Sequence, residues 1–440
     1  MRIALVSLQF EATATGGGGV HVKNICDQLL GLGQKITIVS IHTEKTLPHA
    51  ELKEWDVPLS VEDRGDLRVV RFLIDRGIAQ PYVGDKDTEL DRIKRFSDTA
   101  IKWLKQNLEE FDVINLHGHH MLPGYMAREL QGLGPKVISY IHALETTYVT
   151  KKGDFVGAYD GTAEVLGRIR EWEAMCRFPD RIFVNSPQVR DELLEIVEEF
   201  VESSAPYIDK IVLLSSGCNK GFLLSDGTIG EKLSVVPEVV ELVTFCRIDP
   251  SKGIHYSIQG AKEAAKQSSR RFRLTIAGIP ASEEYVRTLR KDTESLPENL
   301  EVEFRLFDAI SPTEEKQELL DPKHIYILPT LKEPFGMSII EASARGNMIV
   351  SADTNGPKFM MEMESGKDLE WGIATRYGAL ARITDDHEAN FAHNVGSAIA
   401  WTVDNWTACA ENVLAFNEKV RNTWTWESIG EQYLAIFEAT

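Results

Sequence analysis

Short apolar runs alternate with amphipathic helical segments along the whole chain, and this alternation restricts the fold more than any other sequence feature. Residues 3–8 read Ile-Ala-Leu-Val-Ser-Leu, a pattern typical of a strand buried on both faces. After a glycine-rich segment, apolar side chains recur at helical spacing at Val22, Ile25, Cys26, Leu29 and Leu30. A second strand is expected at 36–41. This strand–helix–strand order predicts the opening of a doubly wound α/β domain.

The alternation then repeats, which predicts two domains of the same type. Further strands are expected at 69–72, 113–116, 137–141, 181–184, 242–245, 273–277, 325–328 and 348–351. The segment 218–238 lacks periodicity and is predicted to be the linker. We therefore predict an α/β fold of two Rossmann-like, doubly wound domains facing across a cleft. The domains are placed at 1–225 and 226–420, followed by a helical segment at 421–440.

The composition of the chain limits the partners that it can bind and the compartment in which it is expected. Lys and Arg number 48 against 67 Asp and Glu, so the net charge is −19, and no basic run is present. This balance argues against nucleic acid and against strong membrane association. The five cysteines are widely spaced and no apolar stretch approaches 18 residues, so a reduced, cytoplasmic protein is expected. The sequence leaves the oligomeric state open, a homo-oligomer included.

Four consecutive glycines, Gly16–Gly19, stand before the first helix. In such a segment backbone N–H groups can approach a phosphate, and the helix N-terminus favours negative charge. A flexible surface turn is the alternative. The segment does not match the dinucleotide fingerprint, because its glycines come about eight residues after the strand rather than directly behind it.

Two cations lie in the loop that follows the strand at 242–245. This loop contains Arg247 and Lys252 and leads into a predicted helix. Two such cations in one strand-to-helix loop could hold a diphosphate. Two solvated surface cations are the alternative interpretation.

The segment 329–346 is the most specific signal, because it places Glu333 before a predicted helix and Glu341 within it. The helix is expected to begin near Gly336 and to stop at Gly346. Eight residues of helix would separate the two carboxylates by roughly 12 Å. That is more than the ~5–9.5 Å of a glycosidase pair, but it suits hydrogen bonds to hydroxyls at opposite ends of a sugar nucleotide. Charges that flank a helix N-terminus are the alternative.

Two patterns suggest a metal, and we reject both. His117, His119 and His120 lie close together, but no carboxylate stands nearby, so a substrate-facing strand end is preferred over a metal site, with a structural turn as the alternative. The run 85–87 reads Asp-Lys-Asp and formally matches a D-x-D metal motif. It lies in a polar stretch without a clear preceding strand, and so short a pattern arises by chance.

These motifs together resemble the family 4 glycosyltransferases, retaining enzymes with the GT-B fold of two Rossmann domains. The resemblance rests on E-P-F-G at 333–336 followed by E-A at 341–342, on R-x-x-x-x-K-G at 247–253, and on the N-terminal glycines. It covers nearly the whole chain, and it implies that the C-terminal helix at 421–440 crosses back to pack on the first domain. Residues 337–342 and 354–357 are nearest to the sucrose-phosphate synthase and glycogen synthase-like branch, although that branch's second glycine before the proline is absent here.

The resemblance assigns a role to individual residues. Arg247 and Lys252 would hold the diphosphate, Glu333 the donor sugar, and Glu341 the ribose. The remaining donor-site residues would be Gly17, Gly18, Gly19, Gly278, Phe335, Gly336 and Met337. His142 would face the reacting sugar as a catalytic residue together with Arg247, Lys252 and Glu333, and the acceptor would be contacted by Gly18, His117, His142 and Glu145.

The resemblance implies a hexosyltransferase that moves glucose from a nucleotide-diphosphate sugar, with UDP-glucose the expected donor. The acceptor is expected to be a small sugar, a sugar phosphate or a polyol. The resemblance implies no cofactor and no essential metal. Three alternatives stay open: a non-hydrolysing sugar-nucleotide epimerase, a nucleotide-sugar-binding protein without activity, and, less favoured because of the glycine spacing, an NAD-dependent dehydrogenase.

Overall fold

The computed structural model describes residues 1–14, 16–82, 85–118, 121–144, 163–308, 313–383 and 389–440. The chain divides into two compact units. The first consists of Met1–Ser216 and Trp426–Thr440, and the second of Gly217–Thr425. The C-terminal helix therefore belongs to the first unit, as the resemblance implied.

The secondary structure alternates between strands and helices in both units. The strands are β1 Arg2–Val6, β2 Lys35–Ile41, β3 Leu59–Arg64, β4 Leu67–Phe72, β5 Val113–Gly118, β6 Lys136–Ile141, β7 Arg181–Val184, β8 Ile211–Leu213, β9 Val239–Phe245, β10 Arg271–Gly278, β11 Leu300–Leu306, β12 Ile325–Leu328, β13 Met348–Ala352, β14 Lys367–Leu369, β15 Gly372–Thr375 and β16 Gly378–Ala381. The helices are α1 Gly17–Gly31, α2 Lys86–Gln106, α3 Met121–Leu130, α4 Ala163–Ala174, α5 Pro187–Glu198, α6 Ala205–Ile208, α7 Asp226–Lys232, α8 Ile254–Gln267, α9 Glu283–Asp292, α10 Thr313–Leu320, α11 Met337–Ala344, α12 Asn355–Met360, α13 Ala389–Asp404, α14 Trp406–Thr423 and α15 Trp426–Ala439.

The described strands of the first unit form one sheet in the order β3-β4-β2-β1-β5-β6-β7-β8. Every neighbouring pair is parallel except β3 and β4. Ile3, Leu5 and Val6 of β1 are fully buried, which explains why this central strand is apolar on both faces. The parallel register brings the carboxyl ends of β1, β5 and β6 to one edge of the sheet.

The described strands of the second unit form a sheet in the order β11-β10-β9-β12-β13-β16-β15-β14. Its first six strands pair in parallel, and β14 and β15 add antiparallel pairs at one side. The carboxyl ends of β9, β10, β12 and β13 thus lie side by side. In an open α/β sheet this edge is where ligands bind.

All the predicted strands are present, but the predicted linker is wrong. Within 218–238 the chain forms α7, which is capped by the Ser225 side chain and buries Ile229 in the core of the second unit. Cys218 N donates to Trp424 O at 2.8 Å. The short, polar residues of this segment are turns and caps of a folded region, which the lack of periodicity could not distinguish from a linker. The strands β3, β8, β11 and β14–β16 were not predicted, because they are short or lie at sheet edges.

Within the described residues, no helix combines the length and apolarity that a membrane span requires. This agrees with the absence of a long apolar run in the sequence. The cytoplasmic location stays a prediction.

Candidate functional site

The expected diphosphate-binding cations lie beyond the carboxyl end of β9, and Glu333 lies beyond the neighbouring β12. Lys252 Nζ contacts Glu333 Oε2 at 2.6 Å, and the two side chains are 16% and 13% exposed. Arg247 Nη2 lies 3.5 Å from Asp249 Oδ2, and the Arg247 side chain is 45% exposed. The structure therefore brings Lys252 and Glu333, 81 positions apart, into one ion pair.

Hydrogen bonds between side chains and the backbone, together with one close approach, hold the loops after β9 and β12 in place. Asp249 Oδ1 accepts from Ser251 N at 2.9 Å, which fixes the turn before Lys252. Thr330 Oγ1 donates to Ser251 O at 3.2 Å across the two loops. Gly253 has φ +65°, and a Cβ atom there would lie 2.0 Å from Pro329 O. Only glycine suits this position, where the loop after β9 touches the loop after β12.

Glu341 lies on the helix that the sequence predicted, with Gly336 as its N-cap and Gly346 beyond its end. Its Oε1 atom accepts a hydrogen bond of 2.9 Å from Lys316 Nζ of α10, and the two side chains are 12% and 14% exposed. Lys316 was not among the residues predicted from the sequence. A lysine in an acidic helix 25 residues away carries no local signal of this contact.

Two glycines allow further close contacts at the same edge. A Cβ atom on Gly278, at the end of β10, would lie 1.7 Å from Cys246 O, and one on Gly356 would lie 2.1 Å from Phe335 O. Gly356 N donates to Glu333 O at 2.8 Å. Phe335 is buried, and its ring packs edge-on against Trp424 at 5.9 Å between centroids. These close contacts therefore determine the backbone conformation of the loops that follow β9 and β12.

The glycine run corrects the sequence interpretation. The run was expected to precede the helix, but Gly17, Gly18 and Gly19 form its first turn and Gly16 is the N-cap. The N–H groups of a first helical turn have no partner within the helix, so they can still face an anion. A Cβ atom on Gly19 would lie 2.5 Å from Ala14 Cβ, so this glycine also permits tight packing of the chain before α1.

His117 and His142 lie at the carboxyl ends of the neighbouring strands β5 and β6, with the ring nitrogens His117 Nδ1 and His142 Nε2 3.4 Å apart. Asn115 Nδ2 donates to Ile138 O at 3.0 Å, which turns Asn115 Oδ1 toward His117 Nε2 at 2.6 Å. Burial lowers the pKa of His117 to about 3, so its ring is neutral at pH 7. His117 Nε2 thus carries the proton, and Nδ1 accepts from His142 Nε2.

His21, which was also not predicted from the sequence, is fully buried near the start of α1. Its Nδ1 atom lies 2.9 Å from Ser216 Oγ and its Nε2 atom 2.7 Å from Tyr433 OH of α15. Its ring packs edge-on against that of His142 at 5.0 Å between centroids. The signal was available, because His21 stands four residues before Ile25 and so on the buried stripe of the helix.

Three predicted residues, His119, His120 and Glu145, lie outside the described residues. In the described part of the chain, no group of three or more His, Cys, Asp or Glu side chains is arranged to hold a metal. Asp85 caps α2 by accepting from Thr88 N at 2.9 Å, and Asp87 pairs with Arg168 at 2.9 Å. The Asp-Lys-Asp run thus has a structural explanation in the cap of a helix.

Both halves of the chain match families of glycosyltransferases. Residues 15–199 match the family model described as Glycosyltransferase Family 4, and residues 231–366 match the one described as Glycosyl transferases group 1. Each matched range falls in one unit of the structure, and the second contains the loops with Arg247, Lys252, Glu333 and Glu341.

Two relatives align over nearly the whole chain. A "Probable sucrose-phosphate synthase" of Thermosipho melanesiensis is 24% identical over 439 residues, which cover 96% of this chain and 90% of the relative. A D-inositol 3-phosphate glycosyltransferase of Corynebacterium diphtheriae is 24% identical over 432 residues, which cover 94% of this chain and 93% of the relative.

Solved structures show the same fold. A sucrose-phosphate synthase from Thermosynechococcus elongatus matches with a TM-score of 0.70 and 18% identity, and the match covers 100% of this chain and 99% of that one. The Anabaena protein HepE in complex with UDP-glucose matches with a TM-score of 0.61 and 13% identity, covering 100% and 99%. The likeness confirms the predicted GT-B fold.

Proposed function

The chain belongs to the family 4 glycosyltransferases, and from this we propose that it transfers glucose from UDP-glucose to a hydroxyl of a small sugar, sugar phosphate or polyol. The observation that carries the proposal is the partly buried Lys252–Glu333 ion pair at 2.6 Å. In the proposal Lys252 is the cation for the diphosphate, and Glu333 is the carboxylate that accepts from the sugar hydroxyls. The structure of a GT-B neighbour with bound UDP-glucose supports this choice of donor.

In the proposed donor complex, Arg247 and Lys252 hold the diphosphate and Glu333 accepts hydrogen bonds from the glucose hydroxyls. Glu341 accepts from the ribose hydroxyls, and the backbone N–H groups at 335–337 lie at the N-terminus of α11. Gly17–Gly19 add the first-turn N–H groups of α1. Charge-assisted hydrogen bonds of this kind are stronger than neutral ones, so they can bind an anion although the net charge of the chain is −19.

The proposed reaction retains the configuration at the anomeric carbon. The bond from this carbon to the diphosphate oxygen breaks, and a bond from the same carbon to the acceptor oxygen forms on the same face. The acceptor proton passes to the leaving phosphate oxygen, so the products are a glucoside and UDP. Arg247 and Lys252 stabilise the negative charge that develops on the diphosphate. His142 faces the reacting sugar, in the tautomer that Asn115 and His117 favour.

The names of both relatives include a phosphorylated sugar or polyol. They support a phosphorylated acceptor as the first to test. The proposal assigns the acceptor to the first unit, where His117 and His142 meet at the ends of β5 and β6.

The test begins with thermal shifts of the protein with UDP-, GDP- and ADP-glucose and with the corresponding mannose donors. The donor that binds is then incubated with sugars, sugar phosphates and polyols, with and without EDTA, and the products are identified by mass spectrometry and NMR. We expect UDP release that depends on acceptor, an α-linked glucoside, and no effect of EDTA.

Two outcomes would contradict the proposal in different ways. Conversion of the donor without any acceptor would favour a sugar-nucleotide epimerase. A β-linked product would exclude the retaining reaction while leaving the transferase intact.

A further inference from the structure

Lys316 contacts Glu341, the residue that is proposed to bind the ribose. Its ammonium group donates to Glu341 Oε1 at 2.9 Å. The same nitrogen lies 5.9 Å from the ring centroid of Phe222 and 5.8 Å from that of Phe245, within cation–π distance of both rings. Both members of the Lys316–Glu341 pair are mostly withdrawn from water, at 14% and 12% exposed, so solvent screens their interaction weakly.

The helix that carries Lys316 is fastened to its surroundings by side-chain hydrogen bonds. Gln317 Nε2 donates to Gly221 O at 2.6 Å. Asp321, just beyond the helix, accepts two hydrogen bonds from Arg345, at 2.6 and 2.7 Å. Arg345 directly follows the helix of Glu341, so one contact joins the ends of α10 and α11. The position of Lys316 over Glu341 is therefore determined by the fold of the second unit.

The two carboxylates assigned to the donor have the same arrangement, because each is paired with one lysine. Glu333 pairs with Lys252 at 2.6 Å, and Glu341 pairs with Lys316 at 2.9 Å. A carboxylate beside a diphosphate repels it unless a cation compensates the charge. Lys252 is assigned to the diphosphate itself, whereas Lys316 has no role in the proposed reaction.

We propose that Lys316 is a positioning residue for the donor nucleotide: it compensates the charge of Glu341 and holds its carboxylate in the orientation that accepts the ribose hydroxyls. The inference rests on the proposed function and deepens it, since it makes Lys316 a determinant of selectivity for ribonucleotide donors. Without Lys316, Glu341 can rotate, and its hydrogen bond to the ribose 2′-hydroxyl loses its geometry.

The test compares the donor chosen by the panel with its 2′-deoxyribose analogue, for the wild type, Lys316→Met, Lys316→Arg and Glu341→Gln. Because Glu341 keeps its carboxylate but loses its orientation, its charge-assisted hydrogen bond to the ribose is weakened rather than removed, and Lys316→Met should raise KM for the ribonucleotide donor by about 5–20-fold. We expect kcat to change by less than about twofold, because the ribose lies away from the reacting bond. The preference for ribose over deoxyribose should fall by a factor similar to that in KM.

The ratio of the two donors is measured on one protein sample, so partial unfolding of a variant cancels from it. Lys316→Arg should retain most of the preference for ribose, and Glu341→Gln should lose it. The double variant Lys316→Met/Glu341→Gln should have the same preference and KM as Glu341→Gln alone. Lys291→Met removes an exposed lysine of α9 and should behave as the wild type.

An unchanged preference and unchanged KM in Lys316→Met would overturn the inference while leaving the transferase in place. Absence of turnover by the wild type with every nucleotide sugar would instead refute the proposed function, and this inference with it.

Discussion

Lys252 and Arg247 differ in their surroundings, although both were predicted to hold the diphosphate. Lys252 is 16% exposed and paired with a carboxylate that is 13% exposed, whereas Arg247 is 45% exposed. Removing one partner of a poorly solvated ion pair leaves the other charge uncompensated, which costs more than losing an exposed contact. The two cations should therefore respond differently to substitution.

We predict that Arg247→Ala lowers kcat/KM for the donor about 10–150-fold, the effect of one charge-assisted hydrogen bond of about 1.5–3 kcal/mol. Lys252→Ala should lower it further, because Glu333 is then left unpaired. Steady-state kinetics at varied donor concentration measures both. Lys266→Ala, which removes an exposed lysine at the end of α8, is the control and should match the wild type. Changes below about threefold in both variants would refute the assigned roles.

The candidate donor site is built where four strands of the second unit end, and glycines let these ends approach one another. Gly278, with φ +150°, is the tightest example, since a Cβ atom there would lie 1.7 Å from Cys246 O. A side chain would therefore push the β9 loop, which also carries Arg247. Gly230 of α7 provides the contrast in the same unit, because a Cβ atom there would meet no other atom within 4 Å.

We predict that Gly278→Ala destabilises the protein by about 1–3 kcal/mol, the cost of a strained backbone position. It should also lower kcat/KM for the donor through displacement of the β9 loop. Gly230→Ala should be neutral or stabilise by up to about 1 kcal/mol, because the helix accepts alanine without strain. Denaturant unfolding of both variants is the measurement, and equal stabilities would show that the close approach at Gly278 is relieved at little cost.

Each unit contains a histidine that its surroundings keep neutral, the buried His117 and the partly buried His324, and these two residues make the stability of the molecule depend on pH. Burial lowers the pKa of His117 to about 3, and burial together with nearby Lys232 lowers that of His324 to about 4. His324 Nδ1 accepts from Glu241 N at 3.0 Å, a hydrogen bond that protonation of this nitrogen would break. In the unfolded chain these histidines bind a proton near pH 6.5, whereas in the folded chain they stay neutral until the pH is lower. The contribution of these neutral histidines to the free energy of unfolding is therefore fully present above about pH 6.5 and is lost as the pH falls below it.

We predict that each of these histidines lowers the free energy of unfolding of its unit by about 1.4 kcal/mol when the pH falls from 7.5 to 5.5. Chemical denaturation at both pH values measures the loss. His324→Asn keeps an acceptor for Glu241 N but does not titrate, so the second unit of this variant should lose about 1.4 kcal/mol less. The same pH dependence in variant and wild type would contradict the assignment to His324.

Two α/β units, the strands at their centres and the motifs with Arg247, Lys252, Glu333 and Glu341 were predictable from the sequence. These are local patterns: a buried parallel strand must be apolar on both faces, and a strand-to-helix loop that binds a diphosphate needs its cations close together in sequence. The helix that begins after Gly336 and carries Glu341 was predictable for the same reason.

Which side chains meet across different elements could be seen only in the folded structure. It paired Lys252 with Glu333, set Lys316 against Glu341, and brought His21 to Ser216 and Tyr433. It also turned the predicted linker into a capped helix. Such contacts join residues far apart in the chain, and the order of strands in a sheet, which no local periodicity encodes, determines which of them become neighbours.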